Sequence, residues 1–168
     1  MTQPHGKKKQ WFALVCAGLL TACLLFRNPA DYNISGLLAM KKTRQMTILL
    51  CLFTGLYYFF AIRELLKTAP VHHHKLILGG ILITGLCCLF MPDDQPVMKQ
   101  IHLLAGLLLF LLVQIPVFSA GLVHHQALTV YGMSLVLACF SIILTMNISG
   151  IAEIIYIWGL SLYLFLVE

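Results

Sequence analysis

The chain has 168 residues, 60% of them apolar and only 10% charged, with a mean hydropathy of +0.92. Soluble domains carry roughly 25% charged residues, so water is excluded as the main solvent. A formal charge of +5 does not argue for nucleic acid, because the cations sit in short flanks between apolar runs, as membrane-flanking cations do.

The first ten residues form a polar tail with Lys7, Lys8 and Lys9. Residues 11–26 are the first apolar run, and two readings fit them: a first span, or the charged and apolar regions of a signal peptide. Leu20-Thr21-Ala22-Cys23 has the form of a lipobox, in which cleavage would make Cys23 a lipidated N-terminus. Leu24, Leu25 and Phe26 prolong the apolar run where a lipoprotein would turn polar, which favours a retained span. The longest connection, 27–45, opens with the turn chemistry of Asn28-Pro29-Ala30-Asp31. Its stretch 34–40 can lie in the interface, and Asn33-Ile34-Ser35 fits a glycosylation sequon that matters only in a eukaryotic secretory pathway.

Five further apolar runs follow, at 46–62, 76–91, 101–122, 127–148 and 151–167. A hydrocarbon core of about 30 Å needs roughly 17–25 helical residues, so several runs sit at the short end and recruit flanking residues or thin the bilayer. They are continuously apolar rather than alternating, which argues against a β-barrel. The expected fold is therefore all-α: a polytopic membrane protein, one six-transmembrane-helix bundle over 11–168 behind the tail, with both termini on one side. The hairpin at 76–122 stands out, because its link 92–100 carries Asp93 and Asp94 and is followed at once by His102.

Small and hydroxyl residues recur at three- and four-residue steps: Ala13, Ala17 and Thr21; Gly80, Thr84 and Cys88; Tyr131, Ser134, Ala138, Ser141 and Thr145. Such faces let helix backbones approach closely in lipid, so packing is a better reading than a ligand track. All six cysteines lie within apolar runs, without metal-ligand spacing, and read as soft packing residues. Pro116 removes a backbone hydrogen bond from the fourth run and is expected to kink it, and nearby Gln114 can bond across helices or to groups that the kink frees. No internal repeat supports an inverted-repeat transporter.

With an N-terminus inside, Lys7, Lys8, Lys9, Arg63, Lys67 and Lys75 are cytoplasmic, against Arg27, Lys41, Lys42, Arg44 and Lys99 outside. The margin is six to five, and Lys41, Lys42 and Arg44 beside the second span argue the other way, but the Lys7–Lys9 cluster beside the first span favours N-in, C-in. A plasma membrane is the expected location. Alternation then puts His72-His73-His74 and His124-His125 on the N-terminal side, and Asp31, Asp93, Asp94, His102 and Glu153 on the other. Adjacent loop histidines bind metal only loosely, no acidic or Cys cluster joins them, and no bis-His pair spans a haem. No metal or cofactor is expected. An ionisable group inside a span is a functional hypothesis by default. His102, Glu153, Asp93 and Asp94 are accordingly the candidate catalytic set for general acid–base chemistry on a lipid headgroup. The competing account is a buried His102–Glu153 hydrogen bond between helix ends, with the aspartates in water, and it is the favoured one. No Ser-His-Asp order, zinc signature or phosphate loop is present.

Several of these motifs resemble the six-span membrane family known as domain of unknown function 998, a relative of the DRAM and Sfk membrane proteins. Tyr32-Asn33-Ile34-Ser35 falls in its extended first loop, and Gly79-Gly80 and Gly85 precede Phe90-Met91-Pro92-Asp93 like its glycine-rich third span. His102 with Ala105 and Phe110 is similar to its next helix, and Gly150-Ile151-Ala152-Glu153 with Trp158 to its final-span Gly-x-x-Glu pattern. The chain departs from the pattern at the inserted Met91, at Gly36 and at Ile154. The resemblance implies a six-helix integral membrane fold with no established reaction, related to groups associated with lipid organisation or remodelling. The leading expectation is thus a non-enzymatic protein that organises membrane lipids or supports a membrane-protein partner or homo-oligomer. A membrane-embedded hydrolase or transferase is the first alternative, and a small proton-coupled transporter using Glu153 and His102 the second.

Overall fold

The computed structural model describes residues 5–91 and 96–167, and side chains from Trp11 onward outside 92–96. Asp93 and Asp94 lie outside the described residues. Seven helices occur among those described: α1 (His5–Leu25), α2 (Ile34–Ala39), α3 (Arg44–Thr68), α4 (His74–Phe90), α5 (Pro96–Gly121), α6 (His125–Thr145) and α7 (Gly150–Val167). Helix is what continuously apolar sequence must form in hydrocarbon, because it satisfies each backbone N–H and C=O within the segment.

Four helices are long and apolar enough to cross a membrane: Arg44–Thr68, Val97–Gly121, His125–Thr145 and Gly150–Val167. The apolar stretches Trp11–Leu25 and His74–Phe90 are shorter. Cys23 is buried within α1, which runs on to Leu25. The interfacial stretch expected at 34–40 folds as the six-residue α2.

Contact density divides the chain into two compact units, Met1–Ile34 with His124–Glu168, and Ser35–Val123. In the first, α7 packs against both α6 and α1. It is the most buried of the four long helices, with 39% of its apolar window inside, against 17–22% for the others. Small residues make this possible. Gly159 lies against Ser134, whose Oγ would be 2.8 Å from an added Cβ, and Ala13 and Ala17 are fully buried. Buried Tyr131 of α6 meets Tyr163 and Tyr156 of α7 at ring distances of 5.8 and 6.2 Å. Across α1 and α7, the Trp158 indole N–H donates to Thr21 Oγ1 at 2.9 Å, and Trp11 stands edge-on to Phe165.

In the second unit α3, α4 and α5 pack pairwise. Gly80 of α4 accepts the Leu112 side chain of α5 at 2.8 Å from an added Cβ, and Gly106 of α5 faces Cys88. Of the small-residue faces read from the sequence, Ala13, Ala17, Thr84, Tyr131 and Ala138 are buried and Gly80 meets Leu112, whereas Thr145, at the end of the third face, is exposed. Hydroxyls in the spans mostly turn back on their own helix: Thr47 to Thr43 O, Thr54 to Leu50 O, Thr84 to Gly80 O and Ser134 to Val130 O. This i−4 bonding satisfies a polar group where no water competes. Pro116 is buried inside an unbroken α5, and the Gln114 amide donates within that helix, to Phe110 O.

Candidate functional site

The polar chemistry gathers where connections meet helix ends, and each unit is built differently. In the first unit, the connection after α1 is folded by its own side chains. Asn28 Nδ2 donates to Asp31 Oδ2 at 2.7 Å, Asn28 Oδ1 accepts from Ala30 N–H, and Asn28 O accepts from the N–H groups of Asp31 and Tyr32. The turn predicted at 28–31 is therefore an Asx-type turn. It lays the chain across the start of α7. Ile151 N–H donates to Pro29 O at 3.2 Å, and Asn33 Nδ2 donates to Ile148 O at 2.9 Å. Such an approach requires Gly150, since a methyl there would overlap Tyr32 O and stand 3.0 Å from Pro29 O. Ser149 caps α7, its hydroxyl accepting from Ala152 N–H at 3.4 Å.

Glu153 sits in the first turn of α7, where a carboxylate complements the helix dipole. Its Oε2 accepts the backbone N–H of Ile34 at 2.7 Å. That N–H opens α2 and has no partner within its own helix. The carboxylate thus closes the clamp that Gly150 and Ile151 begin, while Ala152 serves the Ser149 cap.

In the second unit, His102 lies six residues into α5. Its Nε2 is 2.8 Å from Ser35 Oγ, across 67 positions of sequence. Cys88 Sγ approaches His102 O at 4.0 Å. The ring's other nitrogen, Nδ1, is buried and has no hydrogen-bond partner among the described residues. His102 and Glu153 belong to different units, and each is engaged by its own partner there.

The sequence did not single out Ser35 as a partner for a histidine. The available signal was topological: the connection 27–45 and the link 92–100 fall on the same side in a six-span alternation. The histidine tract 72–74 forms the lip of an open recess of about 490 Å³, lined by Val71, His72, His73, His74, Lys75 and Leu76. All its lining comes from one stretch of chain. His73 adopts a left-handed conformation (φ 64°) ahead of α4. His124 and His125 are exposed at the start of α6. Among the described residues no three His, Cys, Asp or Glu side chains come close enough to hold a metal ion.

No family model, curated protein or solved structure gives a significant match to the chain.

Proposed function

We propose that this is a six-span integral membrane protein of the plasma membrane, termini inside, whose role is to organise lipid around its helices. One observation carries the reading: polar side chains of the spans are largely bonded within their own unit, while the outward faces are broad and apolar. On α5, Leu104, Leu107 and Leu111 are exposed, and on α6, Val136, Phe140 and Leu144. Surfaces of this kind are solvated by acyl chains or by another helix. The 17-residue α4 fits the same reading, because a short span is accommodated by thinning the adjacent bilayer.

Membership of the domain-of-unknown-function-998 group is part of the proposal. What supports it is that residues carrying the resemblance make the long-range hydrogen bonds: Ile34 with Glu153, Ser35 with His102, and Trp158 with Thr21. The test is extraction in copolymer nanodiscs with lipid analysis. A local lipid composition differing at least twofold from the bulk membrane in one class is expected. A bulk-like composition overturns the lipid role, and a stoichiometric co-extracted protein would replace it with partner support. Impermeant thiol labelling of D94C and H125C, in a background lacking the native cysteines, checks the topology: the two sites should label from opposite faces.

A further inference from the structure

We propose that Ser35 and His102 are a nucleophile and its base, acting on acyl esters of membrane amphiphiles. This goes beyond the lipid-organising reading, which needs no reaction. Three observations in one unit carry it. First, Ser35 Oγ and His102 Nε2 are 2.8 Å apart, within the reach that a serine nucleophile and its general base require. In the tautomer with its proton on Nδ1, Nε2 accepts the hydroxyl proton. Second, Nδ1 is buried without a partner among the described residues, as His74 Nε2 also is, and a buried unsatisfied polar atom calls for an explanation, a catalytic role being one. Third, the pair stands where α5 passes from polar to apolar sequence, the kind of boundary at which the esters of an amphiphile would lie. Lys99 and Gln100, exposed, lie within one turn before His102, and exposed Leu103 and Leu104 come directly after it. Ser35 itself is only partly buried. Exposed Lys41, Lys42, Arg44 and Lys99 belong to the same unit and favour an anionic amphiphile.

The chemistry balances without a cofactor. Ser35 Oγ bonds to the ester carbonyl carbon as its proton passes to Nε2. Collapse breaks the acyl C–O bond, and the imidazolium returns the proton to the leaving alkoxide. Water, deprotonated by the same nitrogen, then releases the fatty acid and restores the serine.

The experiment is reaction of the purified full chain, in detergent, with an alkyl fluorophosphonate, which phosphonylates an activated serine with loss of fluoride. Peptide mass spectrometry locates the adduct. The expected result is modification at Ser35, absent in Ser35→Ala and at least tenfold slower in His102→Gln. Fatty-acid release from vesicles of phosphatidylglycerol should follow the same order and exceed that from phosphatidylcholine. Wild-type protein that is folded by circular dichroism yet unmodified at Ser35 overturns the proposal without recourse to any variant. So does a modification rate indifferent to His102, which would leave the contact as a pin between α2 and α5.

Discussion

The Glu153 carboxylate accepts the Ile34 backbone N–H at 2.7 Å, joining positions 119 residues apart. An ionisable side chain in the first turn of an apolar helix is thereby given a backbone donor to hold. Its two substitutions separate charge from hydrogen bonding. Glu153→Gln keeps an acceptor oxygen and should cost under about 1 kcal/mol. Glu153→Ala strips the N–H of that acceptor and should cost about 1–3 kcal/mol. Thermal unfolding in a mild detergent reads both. Equal losses would show that the charge matters and the bond does not.

Glycines on one unit give a paired control. At Gly150 an added methyl meets the backbone carbonyls of Tyr32 and Pro29, which cannot swing aside as a side chain does. Gly150→Ala should therefore destabilise by about 1–3 kcal/mol and free the connection after α1 for limited proteolysis. At Gly132 nothing lies within 4 Å of the added atom. Gly132→Ala should stabilise α6 by about 0.5–1 kcal/mol, since glycine is the costlier residue in a helix interior. The same unfolding measurement compares them.

Much of the helical frame was legible because its cause is local. Continuous apolar runs leave the backbone no alternative to helix, so each of the six runs contains a helix. Turn residues at Asn28–Asp31 announced their bend for the same reason. The spacing of Ala13, Ala17 and Thr21, or of Gly80, Thr84 and Cys88, likewise announced faces that helices press against. The candidate site was legible only by halves. Glu153 and His102 stood out as costly groups in apolar surroundings, yet their partners, a backbone N–H at Ile34 and a hydroxyl at Ser35, carry no signature in sequence. Backbone donors are present at almost every residue, and serine is ordinary in a connection. Which of them meets such a group is decided by tertiary approach, for Glu153 by the close passage that Gly150 permits.

Trp158 and Thr21 offer a direct measure of what one inter-helix hydrogen bond is worth. The indole N–H donates to the threonine oxygen at 2.9 Å between α7 and α1. Trp158→Phe removes the donor while retaining most of the ring surface, and Thr21→Val removes the acceptor at nearly constant shape. Each single change should cost about 0.5–2 kcal/mol, and the double-mutant cycle should return a coupling of about 0.5–1.5 kcal/mol. Additive losses would assign the contact to packing alone.

Met146 ends α6 in the left-handed region, at φ 51° and ψ 25°, with its side chain 90% exposed. A side chain there brings Cβ close to the following carbonyl oxygen, at a cost of roughly 1–2 kcal/mol, and buries too little surface to offset it. Glycine is the residue that this helix-ending geometry favours. Its greater freedom in the unfolded chain returns part of the gain. Met146→Gly should therefore stabilise the protein by a net of about 0.5–1 kcal/mol, seen as a higher unfolding midpoint in detergent. Met146→Ala should change it little, because alanine keeps the Cβ that makes the conformation costly. A lower midpoint for the glycine variant would mean that the exposed thioether makes a contact with lipid worth more than the strain it imposes.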